Sequence, residues 1–235
     1  MDIKRNINKR VAKAVPFPRM SAKAWLVVLA IFALLASSIP FAQAEDNPKI
    51  MLEKTAKEMI TALNNNRDRI KQDPKVTQGL IEDILLPHLD FITASKYVLG
   101  AHWDTASKKQ KIGFIKAFRK LLLSFYSSAL TEYLNSHDDM LDPSIMVFFE
   151  PADSNTKQIL LRSEVQPKSG KAVPVNYKIH KTRKGWKIID VSVEGVSVIT
   201  TYKTSFASEI KASGLDALIA SLQSRNSKLR TATNS

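Results

Sequence analysis

The chain has 235 residues, no Cys, 7 Gly and 10 Pro, and 44% of it is hydrophobic, an ordinary balance for a globular protein. Lys and Arg number 35 against 22 Asp and Glu, a formal charge of +13. Without Cys there are no disulfides and no thiol chemistry, so stability must come from a packed core.

The first 44 residues read as a targeting segment. MDIKRNINKRVAKAVPFPRMSAKA carries seven cations against Asp2 alone, and the uncharged run Trp25 to Ile39 follows. Pro40 and then Ala42-Gln43-Ala44 complete a basic region, an apolar region and a small-residue cleavage site. A membrane anchor is the competing reading, but fifteen apolar residues fall short of the roughly 20 that span a bilayer. Cleavage after Ala44 is expected. Taking away those seven cations and one acid leaves 28 Lys and Arg against 21 Asp and Glu, about +7. Much of the case for a nucleic-acid partner leaves with the leader. A charge of that size on an exported domain suits anionic lipid headgroups or acidic proteins.

Beyond the leader, Ile50, Leu52, Ala56, Met59, Ile60 and Leu63 fall at helical spacing over 47–72. Asp73-Pro74 breaks that helix, and a second runs from Lys75 to Leu86, ending near Pro87. Asp90 precedes a short helix from Phe91 to Leu99, closed by Gly100. His102-Trp103-Asp104 is expected in a loop. Ser107 with Gln110 forms a capping box that opens a long helix to about Asn135. On that helix Phe114, Phe118, Leu121, Leu122, Phe125 and Ala129 share one face. Ile115, Leu123, Tyr126, Leu130 and Tyr133 carry the apolar arc to about 220°, twice what a surface helix needs. Either a second protein layer or something else covers the surplus.

The period then changes to strands at 144–150, 156–166, 172–181 and 186–194, with turns at Gly170 and Arg183-Lys184-Gly185. In the fourth strand Trp186, Ile188, Asp190 and Ser192 are expected on one face and Lys187, Ile189, Val191 and Val193 on the other. A helix follows Gly195, with Ile199, Tyr202, Phe206 and Ile210 in helical phase, and a last short one spans Leu215 to Leu222. Residues 226–235 read as a disordered basic tail. Helices, an antiparallel meander and helices again make an α+β fold. A twisted antiparallel sheet of about four strands wraps the long helix, with extra N- and C-terminal helices, and encloses an apolar pocket.

Catalytic signal is sparse. The four histidines, His88, His102, His137 and His180, show no metal spacing, and no G-x-S-x-G, P-loop or GxGxxG occurs. Asp90 reads as a helix cap and Asp190 as a strand carboxylate held by a partner. Trp186 reads as core or rim packing. An enzyme on this cone would have to converge His102, Asp104 and Tyr126 in the cavity.

Two blocks carry a resemblance. One is YVLGAHWDTASKKQKIGFIKAFRKLLLSFYSSALTEY, Tyr97 to Tyr133; the other is VPVNYKIHKTRKGWKIIDVSVEGVSVITTYKTSF, Val173 to Phe206, with SGLDALIASL beyond it. Over about residues 47–226 the chain resembles the MlaC, or toluene-tolerance, family of periplasmic phospholipid-binding proteins of the Mla (maintenance of lipid asymmetry) system. It departs at His102 and Asp104, where the family commonly has an aromatic residue and Arg. The resemblance implies a cone similar to the nuclear-transport-factor-2-like fold, in a domain over residues 45–225. It implies a monomeric periplasmic carrier, not an enzyme, with no metal or coenzyme and no nucleic-acid partner. A glycerophospholipid would be its cargo, passed between an outer-membrane lipoprotein–porin complex (MlaA-type) and an inner-membrane ABC transporter with an MCE-domain subunit (MlaD-type). Leu99, Phe114, Phe118, Leu122, Phe125, Tyr126, Val147, Phe149, Leu161, Val175, Tyr177, Ile188 and Tyr202 are the residues assigned to the acyl pocket. On that assignment Phe118→Asp or Val175→Glu should lower lipid retention and leave the fold soluble. A periplasmic lipoprotein carrier, or an adaptor with a filled core, is the remaining alternative.

Overall fold

Asn47 opens the ordered helices: its side chain accepts from the amides of Lys49 and Ile50, and Pro48 takes the first helical position. The structure is a computed structural model that describes residues 47–137, 139–151, 156–166 and 171–232. The leader reading of residues 1–44 and the turn expected at Gly170 lie outside the described residues.

Helix α1 (Pro48–Asn65) buries Leu52, Met59, Ile60 and Leu63 of the expected periodic set, together with Met51, while Ile50 of that set is exposed. It stops at Asn66, and α2 (Arg67–Gln72) restarts, so the single expected helix is two. Helix α3 (Lys75–Leu80) runs on into a π-helical turn, Ile81–Leu85, and a 3₁₀ turn, Leu86–His88. The regular ladder fails just ahead of Pro87, which has no N–H to donate. Asp90 caps α4 (Phe91–Leu99) by accepting from the Thr93 amide. Gly100 ends it at φ 52°, where a Cβ would also come within 3.2 Å of Lys203. The loop expected at His102-Trp103-Asp104 is instead a short helix, α5 (Ala101–Thr105). The Ser107–Gln110 capping box is present in full, and α6 runs from Lys108 to Ser136. Arg67 donates to the carbonyl oxygen of Leu134 in the last turn of α6 and to that of Asp139 beyond it.

The sheet has strands β1 (Met146–Phe148), β2 (Gln158–Val165), β3 (Val173–Thr182), β4 (Gly185–Val193) and β5 (Val196–Ser197). They form an antiparallel meander in chain order, one short strand more than expected. Register explains the inner face. Lys178 pairs Asp190 but Ile179 pairs Ile188, so Ile189 is an extra residue, a β-bulge. The strict alternation expected in the fourth strand therefore fails. Before the bulge Trp186 and Ile188 face inward; after it Val191 and Val193 do, opposite Tyr177 and Val175. The inner face gathers Met146 and Phe148 of β1, Ile159 and Leu161 of β2, and Val175, Tyr177 and Ile179 of β3.

Helix α7 (Val198–Ser213) leaves the sheet directly, with Ser197 as its cap. Helix α8 runs from Leu215 to Ala232, ten residues past the expected Leu222. Asn226, assigned to a disordered tail, is buried and donates to the Ala117 carbonyl of α6.

The interior consists of three apolar clusters. Phe114, Phe118, Leu121 and Phe206 head the first, between α4, α6, α7 and α8. Ile159, Leu161, Ile179 and Ile188 join Met51 and Leu52 in the second, between sheet and α1. Met59, Ile70, Ile81, Leu123 and Leu134 make the third, where α1 to α3 meet α6.

Candidate functional site: an apolar cavity

Helix α6 reveals what its broad apolar arc touches. Phe114, Ala117, Phe118 and Leu121 pack on the C-terminal helices. Leu123 and Leu134 pack on α1 to α3. Between those two contacts a wedge of Leu122, Tyr126, Ala129 and Leu130 meets a cavity of about 600 Å³. The cavity lies where the three clusters approach one another. Each cluster is packed on its own helices or strands, so the space among them is left open.

Helix α1 supplies Leu52, Thr55, Ala56, Met59 and Ile60 to the walls, and the π-helical turn supplies Ile81 and Leu85. The sheet adds Met146, Phe148, Tyr177, Ile188, Ile189, Val191 and Val193. Leu89, Phe91 and Ala94 close one side, and Val198 and Ile199 of α7 another. The bulge puts Ile188, Ile189 and Val191 on the wall together. Tyr126, Ala129 and Val193 are the lining residues open to solvent. The mouth therefore lies between the middle of α6 and the end of β4.

Polar groups on the wall are few, and those of Thr55, Asp90 and Asp190 are already engaged. The Thr55 hydroxyl donates to the Met51 carbonyl in its own helix. Asp90 accepts from the amide and hydroxyl of Thr93 and lies 2.9 Å from His180 Nε2. Burial pushes its carboxyl up, but the Thr93 hydrogen bonds and His180 together outweigh burial and hold the pKa below the ordinary value. Asp190 accepts from the Ser197 hydroxyl at 2.6 Å and the Ile199 amide at 3.0 Å, tying β4 to the start of α7. Both aspartates thus hold the structural roles expected of them. Burial pushes the phenols of Tyr126 and Tyr177 up, keeping both protonated and neutral.

The structure sorts the sequence-assigned residues. Phe118, Leu122, Tyr126, Tyr177 and Ile188 line the cavity. Leu99 and Phe114 do not: they are buried in the C-terminal helical cluster, with Tyr202 packed against it. Tyr202 meets Phe118 edge-on at 5.3 Å and faces that cluster. Leu161 and Val175 share the inner sheet face but are taken up in packing. Phe125 projects outward, 52% exposed, with its ring edge-to-face on Tyr126. Val147 and Phe149 are out of phase, since pairing of Met146 with Val165 and Phe148 with Ser163 turns Met146 and Phe148 inward. Phe118→Asp and Val175→Glu would consequently place a charge in packed interior, and they test folding first. His102 and Asp104 lie on α5, away from the lining, so the acid–base trio with Tyr126 does not form. The α1 wall and the π-helical turn were not assigned from sequence; their apolar periodicity was the available signal and reads equally as core.

Among the described residues no group of three or more His, Cys, Asp or Glu could hold a metal ion. No helix among them is long and apolar enough to cross a membrane.

Fold and cavity together define an α+β domain built to enclose an apolar guest. The MlaC protein family model matches residues 53–224, and the chain belongs to that family. It is 28% identical over 207 residues to the intermembrane phospholipid transport system binding protein MlaC of Haemophilus influenzae, covering 86% of this chain and 92% of that one. It is 27% identical over 192 residues to the toluene tolerance protein ttg2D of Pseudomonas putida, covering 81% and 83%. The solved structure of a phospholipid-binding protein from Ralstonia solanacearum, in complex with a phospholipid, shares the fold at a TM-score of 0.68. That match has 22% identity and covers 78% of this chain and 99% of that one.

Proposed function

We propose that the protein is a periplasmic phospholipid carrier that holds acyl chains in the cavity and leaves the headgroup at the mouth. The observation that carries this reading is the cavity wall, where Thr55, Asp90 and Asp190 are already bonded within the protein and the rest, apart from the neutral phenols of Tyr126 and Tyr177, is hydrocarbon. A cavity of about 600 Å³ lies inside the range of roughly 300–1,000 Å³ usual for small-molecule sites. Burying a methylene gains about 0.8 kcal/mol, so about fourteen of them gain about 11 kcal/mol. That gain is comparable with the roughly 4–15 kcal/mol lost in immobilising a guest. No wall group is arranged for proton transfer, which favours carriage over catalysis.

Membership of the MlaC family supports a place in lipid exchange between membranes. The donor and acceptor would be an outer-membrane lipoprotein–porin complex and an inner-membrane ABC transporter with an MCE-domain subunit. The leader of residues 1–44 would deliver the chain to the periplasm. Native mass spectrometry of the exported protein, followed by organic extraction, tests the reading. A diacyl phospholipid bound one per chain supports it. A lipid-free mass and an empty extract would refute it.

A further inference from the structure

Three hydroxyl side chains line the cavity: Thr55, Tyr126 and Tyr177. Thr55 donates to the Met51 carbonyl. Tyr177 packs its ring against Phe148 at 6.1 Å and has Ser163 as a hydrogen-bonding neighbour. Tyr126 stands apart, because its hydroxyl has no hydrogen-bond partner among the described residues. It is one of the lining residues at the mouth, half-exposed, with its ring edge-to-face on Phe125 at 5.3 Å. Burial, then Tyr202 and Asp190, push its phenol up, so the group keeps its proton and can donate. No Lys or Arg lines the cavity, so no wall cation competes for the polar part of a guest.

We propose that the Tyr126 hydroxyl donates a hydrogen bond to the ester carbonyl at the root of a bound acyl chain, so that it sets how deep a diacyl glycerolipid seats and favours ester over ether linkage. The inference rests on the reading of the cavity as an acyl site. Hydrocarbon walls are non-directional, and sliding a chain by one methylene exchanges like for like. A fixed seat therefore needs a polar contact, placed where hydrocarbon gives way to water. With the chains inside, the carbonyls at their roots fall at that boundary, and Tyr126 is the wall hydroxyl that stands there unpaired. A carbonyl entering the mouth loses water and needs a donor in return. An ether linkage has no carbonyl to offer. A phosphate is held best by charged donors, which the wall lacks. Exchanged against water, one such neutral bond changes affinity by about threefold or more.

The test sets wild type against Tyr126→Phe, each as the exported protein stripped of carried lipid. Diheptanoyl phosphatidylcholine and its di-O-heptyl ether analogue are titrated below their micelle concentrations by calorimetry. The substitution removes one oxygen from a half-exposed ring and breaks no hydrogen bond within the described residues, so the fold is retained. The expected result is that Tyr126→Phe binds the diester about threefold or more weakly than wild type, with the diether within about twofold, so that the ester-to-ether ratio falls by the first factor. Comparing ratios cancels the intrinsic difference between the two lipids. An unchanged ratio would overturn the proposal while diester binding upheld the acyl cavity. Equal weakening of both lipids would also overturn it, since the acceptor would then be the phosphodiester that they share. Failure of wild type to bind either lipid would overturn the acyl reading as well.

Discussion

His180 Nε2 lies 2.9 Å from Asp90 Oδ2, joining β3 to the N-terminus of α4 beside the cavity. Because the folded carboxyl lies below its ordinary pKa, ionised Asp90 stabilises the fold above the unfolded value of about 4. That contribution is lost as pH falls from there through the depressed folded pKa. Asp90→Asn keeps an acceptor for the Thr93 amide but removes the charge. We expect its melting temperature to fall less steeply than wild type between about pH 4.5 and pH 3, as followed by circular dichroism. Parallel pH profiles would show that the contact is energetically idle.

Ala129→Trp should separate carriage from folding. Ala129 is an exposed lining residue at the mouth, so a large ring there obstructs entry and displaces no core atom. Stability should move by less than about 0.5 kcal/mol, while retained phospholipid falls at least severalfold by extraction. Undiminished lipid would place the entrance elsewhere.

Phe118→Ala should behave differently. The ring stacks on Phe114 at 5.5 Å and meets Phe206 at 5.9 Å, and it is 1% exposed. Truncation should cost about 3–5 kcal/mol, read from chemical denaturation, with lipid loss following instability. A loss below about 1 kcal/mol would mean that the aromatic cluster yields easily.

Asn226→Ala tests the far end of α8. The side chain donates 3.0 Å to the Ala117 carbonyl, and its own Oδ1 is buried without a protein partner. We expect a loss of about 1–2 kcal/mol, measured by urea unfolding of the full chain. No loss would show that water replaces the amide readily.

Where the sequence was legible, short-range chemistry decided the outcome. Asp90, Gly100, Ser107 and Gln110 mark helix ends through their own backbone bonds, and those ends were placed correctly. The breadth of the α6 arc also announced contact on more than one side. What stayed hidden depends on partners distant in the chain. Three residues of β1 are too few to fix a phase, and pairing with β2 sets it. The bulge at Ile189 leaves no mark in a run where both faces are apolar. Helix α8 continues through a polar stretch because Asn226 finds Ala117, 109 residues away. Leu99, Phe114 and Tyr202 look like pocket residues for the reason that core and cavity walls use the same side chains.

The extra residue at Ile189 is the one position of β4 that its partner strand does not count. Deleting it alone would leave Ile188 opposite Ile179 and Asp190 opposite Lys178, so Val191 and Val193 would stay on the wall. One residue lost elsewhere in the strand, with the bulge kept, would slip an arm of the strand by one place and bring outward side chains such as Ser192 inward. Tolerance to a one-residue change in β4 should therefore be confined to the bulge.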